Sequence, residues 1–436
     1  MKILLAACNA KYIHSNLAVY SLKAYAEDPA VEIGEYTINQ QKDDILMDIY
    51  KRKPDILCLS CYIWNLDYIE EIVLEIGKLR PDMPIWLGGP EVSYDAKEVL
   101  RRLPCVKGVM KGEGEKTFKE ICRIYRNEFE KKKENVDNSW KKSESVDNQL
   151  KNVIGITFRT EENEIIDKPW RPIMDLSEVP FVYDHIEDFE HKIIYYETSR
   201  GCPYGCTYCL SSADRAVRMF SMEYIMRILH KLKDSRVTQV KLLDRTFNAD
   251  PKRALQIARY MNEYCTHQIF QFEIVAETLS EELLQFFCEE AVPGRFRFEI
   301  GVQSFHTRTL HAVGRTQNNE RLIEVIQRLK ASGAVMHVDL IAGLPYEDLN
   351  LFQVSFDTLF SLQASELQLG ILKLLKGTKL RSQRESYHFV FQENAPYDVR
   401  ASAWLKEEEM QRIHACAEAV EKFWNSAACR SVITAI

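Results

Sequence analysis

Three cysteines in the run GCPYGCTYC have the residue type and spacing to do metal chemistry. Cys202, Cys206 and Cys209 follow a C-x3-C-x2-C pattern on one short loop. Gly201 and Gly205 let the backbone fold tightly around a bulky inorganic core. A closed structural zinc site needs four protein donors, and an electron-transfer cluster usually takes four cysteines as well. Three thiolates therefore predict an iron–sulfur cluster in which one iron stays open to a further ligand.

The run resembles the cluster motif of the radical S-adenosylmethionine (SAM) enzymes, including the aromatic residue before the third cysteine, here Tyr208. The resemblance implies a 4Fe-4S cluster whose open iron is chelated by SAM and whose electron splits the sulfonium to start radical chemistry. It also implies a low-potential electron donor, such as flavodoxin or ferredoxin, as a partner. The residues alone leave open a zinc site that takes a distant fourth donor such as Cys265 or Cys288.

The composition limits the class of protein. With 436 residues the chain is long enough for two or three domains and a large core. Its 57 basic and 64 acidic residues are well mixed, and the net charge of −7 argues against a nucleic-acid partner. The cysteines outside the motif lie mostly in apolar segments, as reduced thiols do in cytoplasmic proteins. The apolar stretch between Lys2 and Cys8 is too short for a signal peptide, and no run predicts a membrane span.

Residues 1–126 alternate short apolar runs with amphipathic helical patterns. This rhythm predicts a five-stranded, doubly wound, Rossmann-like domain of the α/β class. The predicted strands are residues 3–8, 32–36, 56–60, 85–87 and 106–110. Residues 127–152 are rich in charge without periodicity and predict a flexible linker. Residues 153–190 predict a hairpin followed by a connector.

Residues 191–375 repeat a strand–helix unit six times, which predicts a partial (β/α)6 barrel of the TIM type. The predicted strands are residues 193–197, 240–243, 270–276, 296–302, 336–342 and 367–372. The cysteine loop follows the first of them, at the face where such barrels carry their active sites. Residues 376–436 predict a helical C-terminal extension. Because residues 427–436 lack a recognisable helix end, truncation stays open.

Polar residues at the ends of the barrel strands predict a ligand site, because a buried charge is costly unless it is paired or meets a ligand. The segments that contain them resemble those of the oxygen-independent coproporphyrinogen oxidase branch of the radical SAM enzymes, over most of residues 195–375. The resemblance implies that four of them line the SAM pocket through hydrogen bonds and a bidentate guanidinium. They are Glu273, Gln303, Arg315 and Asp339. The alternative is internal ion pairing, for example of Glu273 with Arg315.

The segment LLDRTFN, residues 242–248, departs from the glycine-rich segment with which many family members hold the methionine amine. It is similar to the variant in cobalamin-linked and methylthiolating relatives. By this resemblance, Asp244 and Thr246 are expected to supply the acceptors for the amine.

The N-terminal domain resembles the cobalamin-binding domain of cobalamin-dependent radical SAM enzymes. The similar segments are CLSCYIWN, LGGPEVS and KGEGEKTF. The resemblance implies that Ser60 hydrogen-bonds the displaced nucleotide base of cobalamin. Gly88 and Gly89 would let the backbone approach the cofactor tail.

The sequence predicts a cobalt whose lower ligand is not a histidine. Mutases and methionine synthases carry a histidine ligand in D-x-H-x-x-G, and His14 lies in the corresponding loop. Tyr12 replaces the aspartate that would orient the imidazole, so His14 is predicted to be a hydrogen-bonding loop residue instead. Tyr62 and Trp64 are then the candidates to cover the lower face of the corrin.

These features predict a cobalamin-dependent radical SAM enzyme that methylates an unactivated carbon, or forms or rearranges a ring, in a substrate that no motif identifies. One alternative is a radical SAM enzyme whose N-terminal domain no longer binds cobalamin. A second is a zinc-stabilised binding protein without turnover.

Overall fold

The computed structural model describes residues 1–134, 145–183, 185–213, 215–426 and 429–433. The chain forms two compact units, Met1–His185 and Ile186–Ile436. Most of the predicted connector, residues 153–190, therefore belongs to the first unit. No helix in the described ranges has the length and apolarity that crossing a membrane requires.

The helices were expected from their amphipathic patterns, and several begin at a capping side chain, such as Asn16 and Ser221. In chain order they are α1 Leu17–Ala26, α2 Lys42–Arg52, α3 Leu66–Leu79, α4 Pro90–Ser93, α5 Ala96–Arg102, α6 Glu115–Glu134, α7 Val146–Leu150, α8 Met222–Lys233, α9 Pro251–Tyr264, α10 Glu281–Gln285, α11 Thr307–Ala312, α12 Asn319–Ala331, α13 Leu349–Ser361, α14 Lys379–Ser382, α15 Glu407–Ala419 and α16 Arg430–Ile433.

The first unit is built on one twisted sheet with strand order β2-β1-β3-β4-β5-β6-β7. Its strands are β1 Ile3–Asn9, β2 Val31–Thr37, β3 Ile56–Ser60, β4 Ile85–Gly88, β5 Gly108–Met110, β6 Ile156–Arg159 and β7 Ile165–Asp167. The first five strands are parallel and are covered on both faces by apolar cores, which confirms the doubly wound prediction.

Two further strands correct the predicted count of five. The predicted hairpin forms, but β6 also pairs antiparallel with β5, so the described sheet has seven strands. The physical reason is that β5 would otherwise leave a row of backbone hydrogen-bonding groups open at the edge of the sheet.

The predicted flexible linker is wrong for part of its length. Helix α6 continues to Glu134 and α7 spans Val146–Leu150, while residues 135–144 lie outside the described residues. Asp147 of α7 forms a 2.6 Å ion pair with Lys107, and the Leu150 side chain is fully buried. These contacts fix a segment whose composition alone suggested disorder.

The second unit contains six parallel strands in the order β15-β14-β13-β12-β11-β8, as the partial-barrel prediction requires. Its strands, with the short antiparallel pairs β9/β10 and β16/β17, are β8 Ile193–Tyr196, β9 Ser199–Arg200, β10 Arg218–Met219, β11 Gln239–Leu242, β12 Ile269–Ile274, β13 Phe296–Gln303, β14 Val335–Ala342, β15 Glu366–Ile371, β16 Val390–Phe391 and β17 Val399–Ala401. Alternate side chains are buried and apolar, such as Phe270, Phe298 and Val338. The others are largely polar and line the lumen.

The C-terminal region is only partly helical, because β16 and β17 interrupt the predicted helical extension. This region contacts the barrel: the backbone N–H of Leu380 donates to the carbonyl oxygen of Thr207, 2.9 Å away, in the cysteine loop. The region therefore helps to hold the loop that follows β8.

Candidate functional site

The three motif cysteines lie together at the carboxyl end of β8. Cys206 is buried, whereas Cys202 and Cys209 are half-buried. Burial raises the pKa of the Cys202 thiol, and the proximity of Cys209 and Cys206 raises it further. The three sulfurs are thus near enough to interact electrostatically. Within the described ranges, no group of three or more His, Cys, Asp or Glu residues is gathered tightly enough to bind a single metal ion.

The cysteine loop is pinned by the turn before α12. The backbone N–H of Thr207 donates to the carbonyl oxygen of Val313 at 2.8 Å. Gly314 has φ +71°, and a Cβ at this position would approach the carbonyl oxygen of Gly205 to 2.8 Å. Any residue with a side chain at position 314 would therefore keep the two loops apart. A loop that carries three thiols, with no fourth cysteine in the same run, fits the donor set of an open iron–sulfur cluster.

Arg315 follows this contact and lies close to the loop. Its guanidinium donates to the carbonyl oxygen of Gly301 at 2.5 Å and to Oε1 of Gln317 at 3.0 Å. Burial lowers the pKa of Arg315, but Tyr208 and Cys206 nearby more than offset this, so its pKa is raised. Arg315 therefore remains a cation beside the cysteines, as a carboxylate-binding residue must.

Gln303 lies at the end of β13 in a strained backbone conformation. Its φ is +68°, and the strand register shifts between Gly301 and Gln303. The side chain is only 9% exposed, and its Oε1 has no hydrogen-bond partner within the described residues. A buried acceptor without a partner is costly, and strain of this kind is frequent at ligand sites. This orphaned amide fits a SAM pocket.

Glu273 is paired, but not with the residue that sequence reasoning suggested. Its carboxylate lies 3.4 Å from the guanidinium of Arg245, so the internal ion pair that was the alternative forms with Arg245 and not with Arg315. Burial raises the pKa of Glu273 to about 7, which Arg245 partly opposes. The carboxyl group can therefore exchange between its two protonation states near neutral pH.

Asp339 lies in the middle of β14 and contacts His337. Its Oδ1 is 2.9 Å from Nε2 of the imidazole. The adjacent carboxylate of Asp339 is the main cause that raises the pKa of His337 to about 10. Burial raises the pKa of Asp339 itself, while His337 opposes this. Although His337 lies close, Oδ1 of Asp339 is buried and makes no hydrogen bond within the described residues, so it stays open to a ligand.

Asp244 and Thr246, which are predicted to hold the methionine amine, both lie beside the segment that carries the cysteines. The carboxylate of Asp244 is 1% exposed and accepts hydrogen bonds from Thr198 and Ser199, which lead into the cysteine loop. Thr246 Oγ1 donates to the carbonyl oxygen of Arg245 and lies 3.8 Å from Cys202 Sγ. Asp244 is thus engaged by the segment that leads into the cluster loop, whereas Thr246 lies beside Cys202.

Sequence reasoning missed Glu277 and the polar lumen. Glu277 lies beyond β12, where its Oε2 is buried without a hydrogen-bond partner within the described residues and its charge is felt by Arg315. The sequence signal that could have indicated Glu277 is its position four residues after Glu273, in the same run QFEIVAETLS. A cavity of about 460 Å³ also opens inside the barrel. Its polar lining includes Lys241, Gln271, Arg297, Glu299, His337 and Gln368.

In the first unit, the predicted cobalamin residues lie at the carboxyl edge of the sheet. Ser60 ends β3 and accepts a long hydrogen bond of 3.4 Å from Nδ2 of Asn16. The same amide approaches Oδ1 of Asn9, whose own Nδ2 donates to the carbonyl oxygen of His14 at 2.9 Å. His14 therefore takes part in a polar network at the backbone, and Ser60 lies in the same network.

Tyr62 and Trp64 form a flat aromatic surface next to this network. Their rings stack with centroids 4.4 Å apart and an interplanar angle of 8°, and Trp64 remains 48% exposed. Tyr12, on the neighbouring loop, is 73% exposed. Exposed flat aromatics at the carboxyl edge of a doubly wound sheet fit a planar macrocycle such as a corrin.

The two glycines at the end of β4, Gly88 and Gly89, differ in the space around them. Gly89 has φ +112°, and a Cβ there would lie 2.4 Å from the carbonyl oxygen of Cys61. Packing alone therefore explains Gly89. A Cβ on Gly88 would meet only ordinary contacts at 3.7 Å and beyond. Gly88 is thus the member of the pair that the described residues leave without a steric explanation.

Two family models match the two units separately. The B12 binding domain matches residues 3–122, and the radical SAM superfamily matches residues 196–359. A third model, described as a protein of unknown function, matches residues 385–436.

Two curated relatives each match about three quarters of this chain. The chain is 25% identical over 348 residues to an uncharacterized methyltransferase of Pyrococcus horikoshii, covering 77% of this chain and 71% of that protein. It is 22% identical over 344 residues to the anaerobic magnesium-protoporphyrin IX monomethyl ester cyclase of Rubrivivax gelatinosus, covering 75% of this chain and 58% of that protein.

Among solved structures, the radical SAM methyltransferase TsrM of Kitasatospora setae, with cobalamin and a 4Fe-4S cluster bound, has the same fold. The TM-score is 0.70 at 16% identity, over 91% of this chain and 76% of that chain.

Proposed function

We propose that this chain, which belongs to the radical SAM enzymes that carry a cobalamin-binding domain, transfers a methyl group to an unactivated carbon atom. The observation that carries the proposal is the three-cysteine loop beside Arg315 and the orphaned Gln303, in a chain that also has a B12 binding domain. The similarity to a methyltransferase over most of the chain supports methylation as the outcome.

The residues of the second unit would hold two of the cofactors. Cys202, Cys206 and Cys209 would bind three irons of a 4Fe-4S cluster. Arg315 would bind the carboxylate of SAM, since its fork of N–H donors matches a carboxylate and Tyr208 and Gly301 hold it in place. A set of acceptors would contact the hydroxyl groups of the ribose: Glu273, Gln303 and Asp339. When bound, the cluster, SAM and cobalamin supply the electron, the radical and the methyl group.

The first unit would hold cobalamin at its carboxyl edge. Ser60 would hydrogen-bond the displaced base, and Gly88 would admit the cofactor tail. The Tyr62–Trp64 stack would cover the lower face of the corrin without a nitrogen ligand, because His14 lacks an orienting aspartate.

Ring formation is the second candidate, because a cyclase matches 75% of this chain. The mass of the product separates the two: methylation adds one CH2, whereas cyclisation removes hydrogen. A low-potential reductant such as flavodoxin or ferredoxin would supply electrons, and the reduced cysteines suit a cytoplasmic location.

The test begins with anaerobic reconstitution of the full chain with iron and sulfide. The wild type and Cys265→Ala, a buried cysteine outside the loop, should take up a 4Fe-4S cluster and release 5′-deoxyadenosine from SAM after reduction. Cys206→Ala should do neither. Zinc without iron, or an unchanged cluster in Cys206→Ala, would contradict the proposal.

Cobalamin binding is tested separately with hydroxocobalamin. Retention of the cofactor through gel filtration, with a shifted absorption spectrum, is the expected result. A chain that cleaves SAM but retains no cobalamin would instead be a radical SAM enzyme whose N-terminal domain has lost this cofactor.

A further inference from the structure

The carboxylate of Asp244 accepts three hydrogen bonds near the cysteine loop. It accepts from the backbone N–H of Thr198 at 2.9 Å, from the hydroxyl of Thr198 at 2.5 Å and from the hydroxyl of Ser199 at 2.6 Å. Thr198 and Ser199 lie between β8 and Cys202. The carboxylate therefore joins the end of β11 to the start of the cysteine loop.

A second side chain, that of Arg253, holds the same segment through the carbonyl oxygen of Thr198. Arg253, in the first turn of α9, donates from Nη2 to the carbonyl oxygens of Thr198, at 3.1 Å, and Phe220, at 2.5 Å. Its own backbone N–H is capped by Asp250 at 3.1 Å. Thr198 thus has its N–H, hydroxyl and carbonyl all bonded by charged side chains. Such bonds are stronger than neutral ones, and a dry environment strengthens them further.

The burial of Asp244 argues against a contact with SAM. Both of its oxygens already accept hydrogen bonds, and the side chain is 1% exposed. Burial raises the pKa of Asp244, while the donors from Ser199 and Thr198 oppose this. A carboxylate enclosed by its own loop has little surface left for a ligand amine.

We propose that Asp244 is a positioning residue for the iron–sulfur cluster, which fixes the Thr198–Ser199 segment and so orders the loop that presents Cys202. The proposal rests on the proposed function, since it assumes that the cysteines hold a cluster. Without this anchor the loop would have to order itself each time it held the metal, and the cluster would be lost more readily.

Thr198 provides a matched pair of variants. Thr198→Val has nearly the same shape but lacks the hydroxyl donor, whereas Thr198→Ser keeps the donor. Asp244→Asn removes the charge and replaces an acceptor by a donor that faces the N–H of Thr198. Asp250→Asn is the control, because it makes the same chemical change on the same connection and asparagine still caps α9.

The measurement is the half-life of the reconstituted cluster against an iron chelator, followed by its absorbance, together with the affinity for SAM per loaded cluster and the melting temperature. Thr198→Val and Asp244→Asn should shorten the half-life about tenfold or more, the effect of losing a hydrogen bond to a charged group. Thr198→Ser and Asp250→Asn should stay within about twofold of wild type. The affinity for SAM should be unchanged in all four.

Three results would overturn the assignment. The first is an unchanged half-life with weakened SAM binding in Asp244→Asn, which would restore the contact with the amine. The second is a half-life that falls only in proportion to the melting temperature in all four variants, which would make Asp244 an ordinary folding residue. The third is a wild type that takes up no cluster, which would overturn the proposed function itself and is recognised before any variant is made.

Discussion

The guanidinium of Arg315 and the carbonyl oxygen of Gly301 are joined by a 2.5 Å hydrogen bond at the carboxyl end of β13. Gly301 begins the register shift that leads to Gln303 and its positive φ. The bond therefore fixes a cation at the same strand end that presents an unpartnered amide oxygen. A cation and an acceptor held in this way suit a ligand that carries both a carboxylate and hydroxyl groups.

Arg315→Lys should weaken SAM binding by about tenfold or more while leaving the cluster in place. Lysine is a point charge and cannot contact Gly301, Gln317 and a carboxylate together, as the planar guanidinium can. The dissociation constant of SAM for the reconstituted protein measures this. Arg308→Lys, in which the native guanidinium lies over the ring of Tyr346, is the control and should bind SAM like the wild type. Equal loss in both variants would contradict the assignment.

Gly89→Ala should destabilise the first unit by about 2 kcal/mol or more, since it combines a positive φ with a steric clash. Its Cβ would lie 2.4 Å from the carbonyl oxygen of Cys61. Gly88→Ala should cost less than about 1 kcal/mol but should weaken cobalamin retention. Urea unfolding and hydroxocobalamin binding separate the two effects. A stable Gly89→Ala protein, or Gly88→Ala with full cobalamin affinity, would show that the pair has been assigned the wrong way round.

The sequence was sufficient to predict the helices and strands, but it was not sufficient to predict which polar groups pair with each other. Apolar periodicity predicted the five parallel strands of the first unit and the six of the second, because burial on both faces leaves a strong pattern. The hairpin of β6 and β7 was predicted too, but no local pattern tells whether a hairpin stands alone or extends a neighbouring sheet. The segment around Asp147 was assigned to a linker because its fixing contact, Lys107, is 40 residues away.

The strand pattern predicts where the candidate site residues lie, but not which side chains they pair with. Arg315 and Gln303 could be placed because they follow a strand whose end must lie near the cysteine loop. The donors to Asp244, Thr198 and Ser199, could not be predicted, because they belong to a different strand connection that only the folded barrel brings within hydrogen-bond distance. The partner of Glu273 could not be predicted for the same reason: the internal ion pair forms with Arg245 and not with Arg315.

Trp64→Ala should weaken hydroxocobalamin binding by about tenfold, since the half-exposed indole would lose its contact with the planar ligand. Removing the ring should hardly change the stability of the first unit, because Trp64 is 48% exposed. Trp170→Ala is the control: this indole is 46% exposed in the same unit and packs against Tyr94 instead. Absorbance titration measures both affinities. An unchanged affinity in Trp64→Ala would remove the aromatic stack from the cobalamin site.

Glu347→Gln should remove a pH dependence of stability from the second unit. The Glu347 side chain is fully buried; Ser304 and Ser355 donate to Oε1, at 2.5 Å and 3.2 Å, and Oε2 has no partner within the described residues. Burial raises the pKa of Glu347 to about 7, so the folded protein keeps a proton that the unfolded chain releases near the ordinary glutamate pKa of 4.5. The free energy of unfolding should therefore fall as pH rises through this window, by up to about 1.4 kcal/mol per pH unit, and level off above it.

Glutamine has nearly the same shape and stays neutral, so the variant should gain stability over wild type as pH rises from about 5.5 to about 7.5. Urea unfolding at several pH values gives the difference, which should grow by about 1 to 2 kcal/mol over that range. Asp348→Asn changes the next carboxylate, which caps α13 and lies at the surface, and asparagine keeps the cap. Its stability curve should run parallel to that of the wild type. If the curve of Glu347→Gln does so too, the buried carboxyl is already ionised in the folded state at the lower pH, and the loop that follows β14 must supply it with a cation or water that stabilises the charge.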